Sequence, residues 1–159
     1  MIKKYGFYLL AGMVIFAGQF LRSGDLVTGT PPAIEQTTLN GNPAMPLAGN
    51  GPAMIYFWAE WCGICAMMQN AVSAVSAEHR PLTIALRSGS DGKVGLYLHD
   101  KHLDWPVVND PQGQIAQRFG VKAVPAIFFT NREGNIVFTS VGYTSEWGLR
   151  VRLWLAGFF

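Results

Sequence analysis

Residues 53–65 read AMIYFWAEWCGIC, an apolar run that leads into two cysteines separated by two residues. The apolar run Ala53–Trp58 is typical of a strand covered on both faces of a sheet, and a helical pattern opens at Cys62. At a helix start, residues three apart share a face, with Cβ atoms about 5–6 Å apart. A disulfide needs Cα atoms about 4.4–6.8 Å apart. Cys62 and Cys65 can therefore form and break a disulfide with little backbone movement.

The place of Cys62 at the start of a helix favours chemistry at its sulfur. A helix N-terminus offers partial positive charge and free N–H groups, which stabilise a thiolate. The thiolate is the form that attacks a disulfide. The pattern predicts a thiol–disulfide exchange site whose two sulfur atoms are reachable from outside.

Other interpretations of the cysteine pair are weaker or stay open. Structural zinc usually needs four ligands, but the chain has only two cysteines, and its histidines (His79, His99 and His102) are distant in sequence. As a structural staple the pair would close a very short loop, which removes little chain entropy. A Cu(I)-binding module used in copper tolerance stays open as the alternative function, since two thiolates suffice for linear coordination. A membrane tether with a non-functional cysteine pair is a third possibility.

The N-terminal segment predicts a membrane anchor. Tyr5–Leu21 is seventeen residues without a charge, about 26 Å as a helix against a hydrocarbon core of about 30 Å. Lys3, Lys4 and Arg22 can snorkel to the interface, and the basic N-terminal side favours a cytoplasmic N-terminus. A cleaved signal peptide fits as well, but Arg22–Gly24 offers no good cleavage site. Either way the domain is exported, to a place where disulfides persist.

Composition indicates one globular domain behind that segment. Half of the residues are apolar and 14% are charged. From Ser23 onward nine basic residues face ten acidic ones, which gives no electrostatic case for nucleic acid. We expect a membrane anchor over residues 1–25, a linker and lead-in segment over 26–52 with one strand around Ile34–Leu39, and a catalytic domain over 53–159.

The pattern beyond the cysteines predicts alternating strands and helices in the order β-α-β-α-β-α-β-β-α. The predicted helices are Cys62–Glu78, Gly92–Leu103, Gln112–Phe119 and a last one capped by Ser145. The predicted strands are Ala53–Trp58, Leu82–Leu86, Trp105–Val108, Ala126–Thr130 and Ile136–Ser140, with turns at Asn109–Pro111 and Asn131–Asn135. Core positions are expected at Cys65, Met67, Met68, Val72, Val75, Leu149, Leu153 and Trp154. His99 and His102 are expected on an exposed helix face. The order predicts an α/β sandwich with a mixed sheet.

The block Phe57–Cys65, followed in order by Val124-Pro125 ahead of a strand hairpin, resembles the thioredoxin superfamily. The resemblance covers about Pro52 to Leu155. Extra residues around Leu86–Trp105 are similar to the helix–strand insertion of its TlpA/DsbE-like membrane-anchored branch. Within that branch the chain as a whole most resembles the suppressor-for-copper-sensitivity protein D type. The resemblance implies a thioredoxin-like three-layer α/β/α sandwich with a TlpA-type insertion, preceded by one transmembrane helix. It also implies a single-pass protein of the bacterial inner membrane with a periplasmic catalytic domain.

The same resemblance implies the roles of individual residues. Cys62 would attack, Cys65 would resolve, and Pro125 would be a cis-proline that faces the disulfide. Substrate contacts would come from Trp61, Gly63, Ile64 and Val124. No cofactor beyond the redox-active disulfide and no metal is implied. The implied partners are client proteins with disulfides or thiols and a membrane electron donor of the DsbD or copper-suppressor type.

The sequence departs from the family pattern at three positions. Tyr56 stands where thioredoxins carry a buried aspartate, and Met68 stands where many TlpA-like proteins carry a glutamate. Both acids would assist proton transfer from the resolving thiol. Ala126 follows the proline where proteins of cytochrome c maturation usually carry glutamate, which disfavours an apocytochrome substrate. Gly63-Ile64 offers no side-chain donor to a thiolate, so we expect a reduction potential on the reducing side.

Overall fold

The computed structural model describes residues 26–44, 51–79 and 81–159. The predicted anchor, residues 1–25, lies outside the described residues. Within the described ranges, no helix is long and apolar enough to cross a membrane.

In the residues that the structure describes, five strands and four helices follow one another in the predicted order. The strands are β1 (Ala53–Trp58), β2 (Leu82–Leu86), β3 (Val107–Asp110), β4 (Ala126–Thr130) and β5 (Ile136–Val141). The helices are α1 (Gly63–Ser76), α2 (Asp91–Asp100), α3 (Gln114–Arg118) and α4 (Glu146–Ala156). The sheet order is β3-β2-β1-β4-β5. The first three strands are parallel, whereas β4 runs antiparallel to both β1 and β5. The prediction of a mixed sheet is confirmed.

Side chains of β1 alternate between two hydrophobic layers, because successive residues of a strand point to opposite faces of the sheet. Met54, Tyr56 and Trp58 belong to the layer that receives α1 and α4, and Ile55 and Phe57 belong to the layer that receives α3. The predicted core face of α1 is confirmed, since Cys65, Met68, Val72 and Val75 are all buried. Helices thus cover both faces of the sheet.

The α2–β3 segment packs on the same side as α1 through aromatic and polar contacts. Tyr97 of α2 stacks on Trp58 with ring centroids 5.5 Å apart, and its hydroxyl accepts a hydrogen bond of 2.7 Å from Gln69. Trp105, just before β3, donates a 3.0 Å hydrogen bond from Nε1 to the hydroxyl of Ser73. This segment therefore supports the helix that carries the cysteines.

The strand predicted around Ile34–Leu39 is wrong. The backbone turns there instead, since the Thr38 N–H donates to the Asn42 carbonyl and the Gly41 N–H donates to the Thr38 carbonyl, each at 2.8 Å. Gly41 has a φ of 78°, a conformation that glycine adopts at little cost. The Asn-Gly pair at residues 40–41 is a turn signal, and it explains why this segment turns and does not form a strand.

The region from α2 to α3 also differs in detail from the prediction. β3 runs to Asp110, so the turn predicted to begin at Asn109 is wrong. The Asp110 carboxylate accepts a 2.9 Å hydrogen bond from the Ala116 N–H and so satisfies a free donor in the first turn of α3. The helix α2 ends at Asp100, and His102 lies beyond it with a φ of 53°. Only His99 therefore lies on the exposed helix face predicted for both histidines.

Two predicted core residues lie on the surface. Met67 is exposed while its neighbour Met68 is fully buried, and Trp154 is exposed while Leu153 is fully buried. Neighbouring residues of a helix point about 100° apart, so only one of each pair can face the sheet. Ala156 takes the core position on α4 that was predicted for Trp154.

Candidate active site

Cys62 and Cys65 form a disulfide at the N-terminus of α1. Their Cα atoms lie 5.2 Å apart, within the range expected from their spacing. Cys62 is the N-cap of α1, and its Sγ accepts a 3.1 Å hydrogen bond from the Cys65 N–H. The two cysteines lie just beyond the carboxyl end of β1, after the short segment that follows Trp58. The helix start therefore offers a hydrogen-bond donor directly to the sulfur that is expected to become the thiolate.

The two sulfur-bearing residues are less open to solvent than predicted. Cys62 retains 7% of its exposure and Cys65 retains 3%. The expectation that both sulfur atoms are reachable is wrong for Cys65, which lies in the apolar core with Met68 and Val72. Cys62 is the more accessible member of the pair. Any group that reacts with the pair must therefore approach through the small exposed area at Cys62.

The carbonyl of Val124, the residue before Pro125, lies beside Cys62 although 59 residues lie between Cys65 and Pro125 in the sequence. The Val124–Pro125 peptide bond is cis, as predicted, and the Val124 carbonyl oxygen lies 3.8 Å from Cys62 Sγ. The pairing of β4 with β1 explains this placement, because Ala126 is opposite Phe57 in the antiparallel register. The structure thus brings the cysteines and the predicted cis-proline to one end of the sheet.

An exposed apolar rim surrounds Cys62. Trp61, Ile64 and Met67 are exposed large apolar residues, and Gly63 is exposed between them. The sequence singled out Trp61, Gly63 and Ile64, and it missed Met67, which is 72% exposed. Its spacing of four residues from Gly63 and three from Ile64, which puts the three on one face of the helix, is the signal that could have identified it.

Tyr143 is a further rim residue that sequence reasoning missed. The Gly142 N–H donates a 2.8 Å hydrogen bond to the Pro125 carbonyl, and the exposed Tyr143 follows directly. The antiparallel register of β4 and β5, with Ala126 opposite Val141, brings this segment beside the proline. The only sequence signal for it was its position just after the predicted strand β5.

The loop after β2 braces the segment that precedes Cys62. The buried Ser88 hydroxyl accepts a 3.1 Å hydrogen bond from the Glu60 N–H and donates to the Leu86 carbonyl at 3.2 Å. The indole Nε1–H of Trp61 donates to the Arg87 carbonyl at 3.2 Å. The Glu60 carboxylate also forms an ion pair with Lys93. These contacts fix the conformation of the chain segment that precedes Cys62.

The surroundings of Cys65 lack an acid at either of the two departure positions. Tyr56 is fully buried, and its hydroxyl has no hydrogen-bond partner among the described residues. Burial, with a smaller contribution from Tyr97, raises the pKa of Tyr56, so the phenol stays neutral. Met68 is fully buried in the same cluster. The resolving sulfur therefore lies in an apolar environment without a nearby carboxylate from these positions.

Comparison with known proteins identifies the fold family. Residues 45–150 match the model of a family described as a thioredoxin-like domain. A thioredoxin-like protein of Haemophilus influenzae is 37% identical over 111 residues, which cover 69% of this chain and 66% of that protein. The soluble secreted antigen MPT53 of Mycobacterium tuberculosis is 29% identical over 107 residues, which cover 65% of this chain and 62% of that protein. The matches thus span just under two thirds of the length of these curated relatives.

A solved structure agrees with this result. A secreted Mycobacterium tuberculosis disulfide oxidoreductase, described as homologous to Escherichia coli DsbE, superposes with a TM-score of 0.63 at 26% identity, covering 82% of this chain and 96% of that one. That protein is named a disulfide oxidoreductase, and the present chain has its CxxC pair closed as a disulfide at the start of α1. With two thirds of its residues matched by the family model, the chain belongs to the thioredoxin-like domain family.

Proposed function

We propose that this protein is a thiol–disulfide oxidoreductase of the DsbE type that exchanges disulfides with client proteins. The single observation that carries the proposal is the Cys62–Cys65 disulfide at a helix N-terminus, with the Val124 carbonyl 3.8 Å from Cys62 Sγ. A helix start favours the thiolate. The similar solved structure that is named a disulfide oxidoreductase supports the same chemistry.

The reaction we propose transfers two electrons from the protein to its client. The Cys62 thiolate attacks one sulfur of a client disulfide, and the other client sulfur leaves as a thiolate that takes up a proton. Cys65 then loses its proton and attacks Cys62 in the mixed disulfide. The Cys62–Cys65 bond forms, and the second client sulfur leaves. The client ends as a dithiol and the protein as a disulfide, so each cycle requires re-reduction by a donor.

The rim and the segment before β4 are the proposed client-binding surface. Trp61, Ile64 and Met67 offer apolar contact area around Cys62. The backbone of Val124 precedes the first paired residue of β4, Ala126, and so lies beyond the ladder of the sheet. An extended client segment can pair with such a free stretch as an added strand. This arrangement would place a client sulfur next to Cys62.

The proposed place of action is the periplasmic face of a bacterial inner membrane. Relatives named as secreted support an exported domain, and the apolar segment Tyr5–Leu21 supports an uncleaved anchor. The proposed donor is a membrane electron carrier of the DsbD or copper-suppressor type, since a reductase in an oxidising compartment needs a supply of electrons. The anchor is tested by measuring the membrane association of a variant that lacks Tyr5–Leu21. We expect the variant to lose this association.

A Cys65→Ala variant should accumulate mixed disulfides with client proteins. Without the resolving sulfur, the bond between Cys62 and the client persists until an external thiol attacks it. The measurement is non-reducing electrophoresis of the full chain expressed in its host, followed by identification of adducts that disappear on reduction. Cys62→Ala is the matched control, because it removes the more exposed sulfur and should give no such adducts. Equal adducts from both variants, or none from Cys65→Ala, would contradict the proposed roles.

The reduction potential should lie on the reducing side, near that of thioredoxin and below that of strong disulfide donors. Gly63-Ile64 offers no side-chain donor to the Cys62 thiolate, so the reduced form gains little extra stability. Equilibration with glutathione or with a reference thioredoxin gives the potential directly. A value close to about −120 mV, as for the strong oxidant DsbA, would assign the opposite direction of electron flow.

Cu(I) binding by the same two sulfur atoms stays a prediction, since it uses the reduced pair as soft ligands. Insulin reduction in the presence of a copper chelator separates this function from disulfide exchange. Full activity under chelation is the result expected for the oxidoreductase.

A further inference from the structure

A stripe of exposed apolar side chains runs along the outer face of α4. The opposite face of the helix buries Leu149, Leu153 and Ala156, so the stripe does not belong to the core. Its members are between 36% and 78% exposed, and a monomeric protein rarely exposes such a contiguous apolar face. We call this set the α4 stripe, and it comprises Trp147, Val151, Trp154, Leu155 and Phe158.

The α4 stripe has the spacing of a seam between two helices. Its residues Trp147, Val151, Trp154 and Phe158 follow one another at intervals of four, three and four residues, and alternation of these two intervals marks the contact line of paired α-helices. Phe158 continues the last turn, because its N–H donates to the Leu155 carbonyl at 3.0 Å, and its ring lies 4.8 Å from that of Trp154. The seam is about 17 Å long. A second helix therefore fits this face.

The charged residues of α4 lie outside the stripe and have partners within the protomer. The Arg150 guanidinium donates to the Glu78 carboxylate at 2.7 Å and to the Glu146 carboxylate at 2.9 Å. Arg152, which is partly buried, donates from Nη1 to the Gly148 carbonyl at 3.0 Å. The stripe itself is uncharged, and homodimer interfaces are the more apolar class of protein interface. This composition favours a second copy of the chain over an acidic or basic partner.

The exposed area of the α4 stripe is sufficient for a dimer. Trp147, Trp154 and Phe158 are 78%, 65% and 70% exposed, and a fully buried aromatic side chain covers about 150–250 Å². The three rings therefore offer roughly 400 Å² per protomer, and Val151 and Leu155 raise this to roughly 500 Å². Two such faces together bury about 1,000 Å², the lower limit expected of a specific interface.

We propose that α4 packs against α4 of a second copy of this chain in an antiparallel dimer with two-fold symmetry. Two-fold dimers are the commonest oligomers, and each subunit uses the same patch in them. Antiparallel packing centred between Val151 and Trp154 places Val151 opposite Trp154 of the partner subunit and Trp147 opposite Phe158 of the partner subunit. A small residue then meets a large one at the centre of the seam, which lets the side chains interdigitate. A parallel pair would instead place indole against indole at both tryptophan levels.

Sedimentation equilibrium of the full oxidised chain in a density-matched neutral detergent tests the dimer. Both cysteines of the chain are in the Cys62–Cys65 disulfide, so intermolecular disulfides do not contribute. The wild-type chain should be dimeric at micromolar concentration. Trp154→Glu puts a charge in the seam and should weaken the dimer by about 30-fold or more. Leu96→Glu is the matched control, because Leu96 is 67% exposed on α2 and outside the stripe, so it should leave the dimer unchanged.

A mixing experiment tests the antiparallel order. Val151→Lys alone and Trp154→Glu alone should each be mostly monomeric, because their homodimers would bury two unpaired charges. An equimolar mixture should recover the dimer, because the introduced lysine then faces the introduced glutamate at one site while the native Val151–Trp154 contact remains at the other. The fold of each variant is checked by its reaction with a small model disulfide, which should be unchanged because both positions are exposed.

A wild-type chain that stays monomeric up to its solubility limit would overturn the inference, and a loss of client adducts in Trp154→Glu would then assign the stripe to client proteins. Equal effects of Trp154→Glu and Leu96→Glu would exclude α4 as the interface. No recovery on mixing would overturn the antiparallel order. A dimer that withstands Trp154→Glu but is lost when Tyr5–Leu21 is removed would assign the association to the N-terminal segment. The state of association is measured without disulfide exchange, so the inference and the proposed function can fail separately.

Discussion

Replacing Cys62 by serine is expected to lower the rate of insulin disulfide reduction by on the order of 10³-fold or more, to the background of the reductant alone. Serine keeps the size of the side chain and the helix cap, but its hydroxyl is not ionised near neutral pH and cannot attack a disulfide. The loss should therefore appear without a change in fold. The measurement is insulin precipitation with dithiothreitol as donor, at matched protein concentration.

Two control variants are needed to interpret the result for Cys62→Ser. In the absence of dithiothreitol, pre-reduced Cys65→Ser should still form the first mixed disulfide with a small model disulfide, so it should give one burst of product and then stop. Met67→Ser changes an exposed rim residue close to the pair and leaves both sulfur atoms in place, so it should retain turnover and weaken client binding at most. Full activity in Cys62→Ser would remove the cysteine pair from the mechanism. A burst from Cys62→Ser but not from Cys65→Ser would exchange the two roles.

The parts of the fold that the sequence predicted well are those governed by local patterns. The buried strand β1 is an unbroken apolar run, and α1 shows four core residues at helical spacing from Cys65 to Val75. The spacing of the cysteines was enough to predict the disulfide at the helix start. The cis bond before Pro125 was expected from resemblance to a known family and not from any pattern around that proline.

What the sequence did not predict depends on contacts between distant segments. The exposure of Cys65 is set by the core that closes over it. Trp154 and Leu153 are neighbouring residues with large apolar side chains, and only the orientation of α4, fixed by Leu149 on the sheet, decides that Trp154 lies outside. Tyr143 comes beside Pro125 through the register of β4 and β5. Such registers depend on the whole sheet, so a local window does not contain them.

Met68→Glu should make the stability of the protein depend strongly on pH. Met68 is fully buried three residues after Cys65 on α1, so the two side chains share a face of the helix. Burial would raise the pKa of a carboxyl at this place by about 2–3 units. Ionisation of the carboxyl would then lower the free energy of unfolding by about 3–4 kcal/mol. Met68→Gln is the control, because it has the same size and shape without a charge.

The sign of the effect follows from the two protonation states. Below the ordinary glutamate pKa of about 4.3, the carboxyl is neutral in the folded and the unfolded chain, so the two variants should be about equally stable. As the pH rises above this value the unfolded chain ionises first, and the stability of Met68→Glu falls relative to Met68→Gln. The gap should be complete above the raised pKa of the folded state, and urea denaturation at pH 4 and pH 8 measures it.

The same substitution tests whether the apolar surroundings of Cys65 limit the resolving step. A carboxylate one turn away could accept the Cys65 proton, and general base catalysis of this kind contributes on the order of 10²-fold. Stopped-flow resolution of a preformed mixed disulfide at Cys62 should therefore be faster in Met68→Glu than in Met68→Gln at neutral pH. A stability gap that does not change with pH would mean that water reaches this position. If the two variants differ in stability as expected but resolve the mixed disulfide at equal rates, Cys65 loses its proton by another route, directly to water or to the departing client thiolate.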